Sequence, residues 1–343
     1  MKLPFDLGVK LFFRLLLPGF ILTVALLPVL LAALDAVGLA GQHETGFVLA
    51  LIVAGWLVVA ADMPIYMLLE GRRGWPAKLS QWMRASEQAR LTGLNAAVDA
   101  FYATHEPDDE VRRRYGEASV DLRSFPLGSD GLEYVKWPTR LGNTLAAFET
   151  YGKTRYGLEA VFYWPRIWVN LDTDLREEID GQQAMADSAV YATFALGFGA
   201  FLWVVYALLP AANGAVTWLL DQAGVRQRLP AGVFYYLPSA PACVALAAGF
   251  LAVAAGVYRL AVFTNEQFGV LFTAIIDSHA AKVATYVDVE GIVRKVSDAA
   301  RIHPEDDEKL EVARRYLQYY LVKLPGNPRA VPFPRVVNPN PPE

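Results

Sequence analysis

The sequence predicts an all-α integral membrane protein, four transmembrane helices joined to a helical cytoplasmic domain. Three observations carry that prediction. The chain is 54% hydrophobic, above the roughly 45–50% usual for soluble domains even with glycine counted. Its 19% of charged residues crowd into some stretches and almost vanish from others. Four apolar runs reach the roughly 20 residues that a helix needs to cross a bilayer core about 30 Å thick.

The first run extends from about Leu15 to Leu34 and the second from about Phe47 to Leu69, making a hairpin of residues 1–70. A cleaved leader is the competing reading of the first. Met1-Lys2 is a basic start and Gly38-Leu39-Ala40 a small-residue site. The run is too long for a leader's apolar segment, however, and Pro18 and Pro28 interrupt it, so a retained span is expected. The third run, about Ser188 to Leu209, and the fourth, about Ala240 to Val262, form a second hairpin over residues 188–262.

Orientation follows from lysine and arginine, which collect on the cytoplasmic side of bacterial spans. Lys2, Lys10 and Arg14 precede the first helix, and the link from Asp35 to Gly46 has neither residue. Arg72, Arg73, Lys78, Arg84, Arg90 and the run Arg112 to Arg114 follow the second, and Arg226 and Arg228 alone lie between the third and fourth. Arg259, Lys282, Arg294 and Lys295 follow the fourth. Both termini are therefore expected in the cytoplasm, with the chain in a bacterial inner membrane. The outer link, Pro210 to Ser239, reads as a short interfacial helix at Ala215 to Leu220 with Tyr235-Tyr236 at headgroup depth; a pore helix dipping into the bilayer is the alternative.

Residues 71–187 are expected to form the cytoplasmic domain. Trp75-Pro76 opens a helix whose apolar residues recur at helical spacing to about Thr104. His105-Glu106-Pro107-Asp108-Asp109-Glu110 is rich in metal-ligand types but lacks a calcium loop's glycine and alternation, and reads as a capped helix start. A helix from Pro138 to about Tyr151, a break at Gly152 and a short helix ending at Pro165 follow. Asp172 to Asp187 is polar and helical and runs into the third span. Residues 263–324 read as a second cytoplasmic helical piece, and the tail 325–343 as Pro-rich and disordered.

The stretch from Pro138 to Trp168 carries Leu141-Gly142-Asn143, then Glu149 and Tyr151, Arg155-Tyr156-Gly157, and Trp164-Pro165-Arg166. With Leu69-Glu70-Gly71 before it, this pattern resembles a family of uncharacterised bacterial, actinobacterial-type multi-pass membrane proteins, over about half the chain. The family's usual aromatic after that glycine is replaced here by Arg72-Arg73. The resemblance implies a membrane topology and brings no activity. The dense group Val161 to Trp164 with Ile167 and Trp168 reads either as core against the membrane-proximal face or as an interfacial anchor, with Arg155 and Arg166 on lipid phosphates.

No hydrolase, zinc-protease or nucleotide-binding motif occurs, so no catalytic, metal or cofactor residues are assigned and no cofactor is expected. Cys243 is the only cysteine, which excludes an internal disulfide. The formal net charge of −4 argues against general nucleic-acid binding.

Asp62, inside the second span, is costly there and should face protein or water. Arg14 and Arg259 sit at comparable depth, so a three-way contact is expected, either as a packing ion pair or as a gate on an ion path. Ala245, Ala248, Gly249, Ala252 and Gly256 make a small-residue face that suits close helix packing, within the chain or in a homo-oligomer. The partners expected are the bilayer, a further copy of the chain and a cytoplasmic protein. Three function classes remain: an interaction or assembly protein first, then an oligomeric channel or membrane effector, and a membrane-bound enzyme last.

Overall fold

In the computed structural model, which describes residues 12–128, 130–222, 235–300, 304–305 and 308–320, the chain is all-helical, with no strand among the described residues. The Pro-rich tail, Lys2, Lys10, Arg226, Arg228 and His303 lie outside them. Four helices are long and apolar enough to cross a membrane. The first is a π-helical turn, Phe12–Leu16, leading into α1, Leu17–Ala36; Pro18 at its start costs no intrahelical bond. The second is α2, His43–Ala60. It stops at Ala61, and a separate helix α3, Asp62–Leu69, resumes. Pro64 in the first turn of α3 has no N–H to return to Ala60, and a clean restart avoids the steric clash of a mid-helix proline.

Two very long helices organise the rest. Helix α8, Thr173–Gln222, has 50 residues and runs through Pro210, where the third apolar run was expected to end. Ala215 to Leu220, expected as a separate interfacial helix, continues its backbone. Helix α9, Ala240–Tyr286, has 47 residues. At about 1.5 Å per residue each is about 70–75 Å long, more than twice a bilayer core. They pack along one another, α8 also packs against α1, and the apolar core is continuous from Leu22 and Val58 through Val190 and Ala195 to Ile276 and Val283.

The remaining helices belong to the polar parts of the sequence. They are α4, Ala77–Ala103; α5, Asp109–Leu122; α6, Arg140–Tyr156; α7, Ala160–Trp168; α10, Val289–Ala300; and α11, Lys309–Tyr320. Asp108 caps α5 by accepting from the Val111 N–H at 2.8 Å, which uses the acidic run for capping. The α6 helix passes through Gly152, where a break was expected, and ends at Gly157, whose φ of +63° is the left-handed cap that glycine adopts freely. Gly152 instead admits a close neighbour, since a Cβ there would meet Leu158 O at 2.9 Å and Ala160 Cβ at 3.0 Å. Pro165 likewise lies within α7 rather than ending it.

Candidate functional site

The densest polar contact at the depth of the apolar helices joins α3 to α8. Each helix carries an aspartate followed four residues later by a tyrosine: Asp62 and Tyr66 on α3, Asp187 and Tyr191 on α8. Residues four apart share a helix face, and the two helices exchange these groups reciprocally. Tyr191 Oη donates to Asp62 Oδ1 at 2.8 Å, and Tyr66 Oη donates to Asp187 Oδ1 at 2.6 Å. Register inverts between the pairs, so the helices run antiparallel. The two rings meet edge to face at 6.5 Å. Arg14, on the π-turn before α1, closes the network with an ion pair to Asp187. One guanidinium therefore faces two carboxylates.

Arg14 and Asp62 thus sit in one network, and Arg259 stands outside it, exposed on α9. Residue counting along a helix says nothing of azimuth, and Arg259 faces away from the network. Asp187 was read as the last polar residue before the third span, and neither tyrosine was singled out. The signal available was the Asp-x-x-x-Tyr spacing on two segments predicted to run antiparallel.

The motif residues assemble a clasp where α3 meets α6. Gly71, with φ of +80°, has Pro138 and Thr139 against it. A Cβ on Gly142 would run into the carbonyl of Glu70, so glycine lets α6 approach that backbone. Asn143 is fully buried. Its Oδ1 accepts from Lys136 N at 3.0 Å and Trp137 N at 2.8 Å, and its Nδ2 donates to Trp137 O at 3.0 Å and Glu87 at 3.3 Å. The amide thereby fixes the turn before α6 and ties it to α4. Arg72 pairs with Glu70, bonds Glu149 at 3.0 Å and stacks 5.2 Å from the Trp137 ring centre. Burial pushes the Glu70 carboxyl up to about 7, Arg72 and Lys136 pulling it down and Glu149 adding to the rise.

The other two motif segments fasten α6 and α7 to the C-terminal half of α9 and to α11. Tyr151 and Tyr156 both donate to Asp277 Oδ1 at 2.8 Å, while Arg155 donates to Tyr156 Oη at 3.1 Å. Burial and Asp277 push the Tyr151 hydroxyl up to about 12. In α7, Trp164 packs on Phe272 with ring centres 4.7 Å apart, and buried Tyr163 donates to Leu310 O at 2.8 Å. Arg166 lies 5.1 Å from the Phe162 ring centre. Trp164, Tyr163 and Ile167 therefore pack as core, and Pro165, Val161 and Val169 face outward. The small-residue face of α9 points away from α8: Ala245, Ala248, Gly249, Ala252 and Gly256 are exposed, while Cys243, Ala247, Ala254 and Ala261 are buried.

Each carboxylate in the α3–α8 network is held by a hydroxyl or guanidinium from a neighbouring helix. The arrangement suits holding helices in register. No family model matches the chain, nor does any curated protein or any solved structure.

Proposed function

We propose that the chain is a non-enzymatic, multi-pass protein of a bacterial inner membrane that presents a helical cytoplasmic module for interaction or assembly with a protein partner. One observation carries the reading: the α4–α5 hairpin is poorly buried for its size. Leu91 is the buried residue of 27-residue α4 and Ala118 that of 14-residue α5. Trp82 is 69% exposed and Tyr102 72% exposed, with Leu79 and Val120 also open. Trp82 and Tyr102 stand about 30 Å apart along α4, and large apolar side chains left open along a helical hairpin suit recognition by a partner.

The basic residues after α3 support a cytoplasmic position for this module and for both termini. The resemblance to actinobacterial-type membrane proteins agrees with that placement. Bilayer lipid covers the outward apolar faces, and the small-residue face of α9 is where a second copy would seat. A photo-crosslinking residue placed at Trp82 or Tyr102 in living cells tests the reading. Discrete protein adducts from both positions, and lipid adducts alone from exposed Leu251 on α9, are expected. Equal adduct patterns from all three positions would refute it.

A second reading, a channel or membrane effector with Asp62 near an ion path, is favoured by the charge excess of the α3–α8 network. Proteoliposome flux separates the two. Flux that Asp62→Asn abolishes while the protein stays folded would establish the channel, and wild-type vesicles tight to protons, sodium and potassium would remove it.

A further inference from the structure

A cleft of about 620 Å³ lies between the α4–α5 hairpin, α6 and the middle of α9, within the range of about 300–1,000 Å³ typical of small-molecule sites. Here α6 and α9 run side by side in the same direction, since Arg140 pairs with Glu266, Phe148 packs on Phe268 and Tyr151 bonds Asp277. The end nearer the apolar part of α9 is thus polar, at Thr144 and Glu266, and the floor beyond it is apolar, at Ala147, Phe148 and Val270. Gly269 opens the wall to the Phe148 ring, whose Cδ1 would lie 2.7 Å from a Cβ there.

Two oxygens at the polar end are buried without a hydrogen bond, one of them on a carboxylate whose side chain is 29% exposed. Thr144 is 2% exposed and its Oγ1 is unpartnered, although burying a hydroxyl without a bond is costly. Glu266 Oε1 is also buried without a hydrogen bond, and the nearest cation, Arg140 Nη2, is 3.7 Å away. Arg90 and Arg140 face Glu87 at 3.1 Å, Asp121 at 3.8 and 3.4 Å, and Glu266 at 3.7 Å, and of these five Glu266 alone lines the cleft, with Arg123 and Arg155 also on its wall. The polar end thus presents a hydroxyl oxygen and a carboxylate oxygen without hydrogen bonds, next to an apolar wall.

We propose that the cleft binds an amphiphilic primary amine, its ammonium donating to Glu266 and to the Thr144 hydroxyl and its apolar body lying over Ala147, Phe148 and Val270. The amine comes either from an aminophospholipid headgroup or from a free amine in the cytoplasm.

The test uses the full chain in nanodiscs of phosphatidylcholine, titrated calorimetrically with 4-phenylbutylamine, 4-phenylbutanol and 4-phenylbutyrate. Saturable binding of the amine is expected, with the alcohol and the acid at least tenfold weaker. Glu266→Gln, close in shape, should weaken amine binding at least tenfold, and Ala147→Trp, which fills the floor without altering charge, should abolish it. Thr144→Val gives an independent check with a several-fold loss. Circular dichroism confirms that each variant is folded. Repeating the titration with phosphatidylethanolamine in the disc identifies the source: competition assigns the lipid headgroup, and an unchanged isotherm assigns the free amine. An amine that binds no better than the acid, or equally well to wild type and folded Glu266→Gln, would overturn the proposal.

Discussion

Asp187 shows what a single side chain must satisfy at this depth. It is 7% exposed, accepts from Tyr66 and pairs with Arg14. Removing one partner of a buried pair costs about 3–5 kcal/mol, because the charge left behind keeps its desolvation penalty, whereas replacing both with apolar groups is often neutral. Arg14→Ala should therefore lower the unfolding midpoint sharply, and the double variant Arg14→Leu with Asp187→Leu should recover most of the loss in thermal unfolding in nanodiscs. Equal losses in the two would show that the pair contributes nothing through its charge. Glu70 makes a pH-dependent prediction. Its carboxyl is held at about 7 against an ordinary 4.5, so the folded state binds the proton more tightly than the unfolded chain. The stability this proton brings is fully present below about pH 4.5 and is lost as pH rises through about 7, an amount on the order of 3 kcal/mol at most. Wild type should lose stability between pH 5 and 8 relative to Glu70→Gln, which lacks that proton. A difference between them that does not change with pH would count against a raised Glu70. Little of this was legible in the sequence. Asp62 stood out because carboxylates are rare in apolar runs. Asp187, at the junction of a polar stretch and an apolar one, looked like a surface residue, and its burial depends on α3 lying beside it.

At the scale of elements, the same contrast separates lengths from azimuths. Apolar runs long enough to span a bilayer are legible from composition, and each of the four overlaps a helix of sufficient length, though the second, expected to reach Leu69, ends at Ala60. The ends were less so, because proline is a weaker stop than it looks. Pro210 lies inside α8 and Pro165 inside α7, while Pro64 does coincide with a restart at Ala61. Which face of a helix meets a neighbour was not legible where the whole helix is apolar, and so the small residues of α9 at four-residue steps turned out to face away from α8. The contact of α6 with Glu70 gives an element-scale prediction. Gly142→Ala must push α6 away from the Glu70 carbonyl, an overpacking change costing about 1–3 kcal/mol. Hydrogen exchange should then accelerate at Trp137 to Leu145 while the far half of α6, held by Tyr151 and Tyr156 on Asp277, keeps its protection. Uniform acceleration along α6 would mean that the helix moves as one body and that the clasp is not a local hinge.

For the whole molecule, α8 and α9 are the continuous parts: the π-turn, α1 and α3 pack on α8, α6, α7 and α10 pack on α9, and α2 attaches through α1. The reciprocal α3–α8 contact and the α1–α8 packing fix the first hairpin to the pair. Tyr236 and His43 both bond Asp35, tying the loop ends together at the opposite end from the α4–α5 hairpin. A chain built this way has its loops at Gly41 on one side and its α4–α5 module on the other if the membrane crosses the apolar lengths of the four long helices. The orientation proposed from the distribution of lysine and arginine has the module inside. Labelling of intact cells with a membrane-impermeant maleimide checks this, in a background where the buried Cys243 is replaced by alanine. Gly41→Cys introduces a thiol in open space and should be labelled in intact cells. Trp82→Cys, at a position 69% exposed, should be labelled only after lysis. The reverse pattern would place both termini outside and move the exposed aromatics of the hairpin to the far side of the membrane. Labelling of both sites in intact cells would mean that the four helices do not separate them, and that the apolar lengths of α8 and α9 cover a protein surface rather than a bilayer.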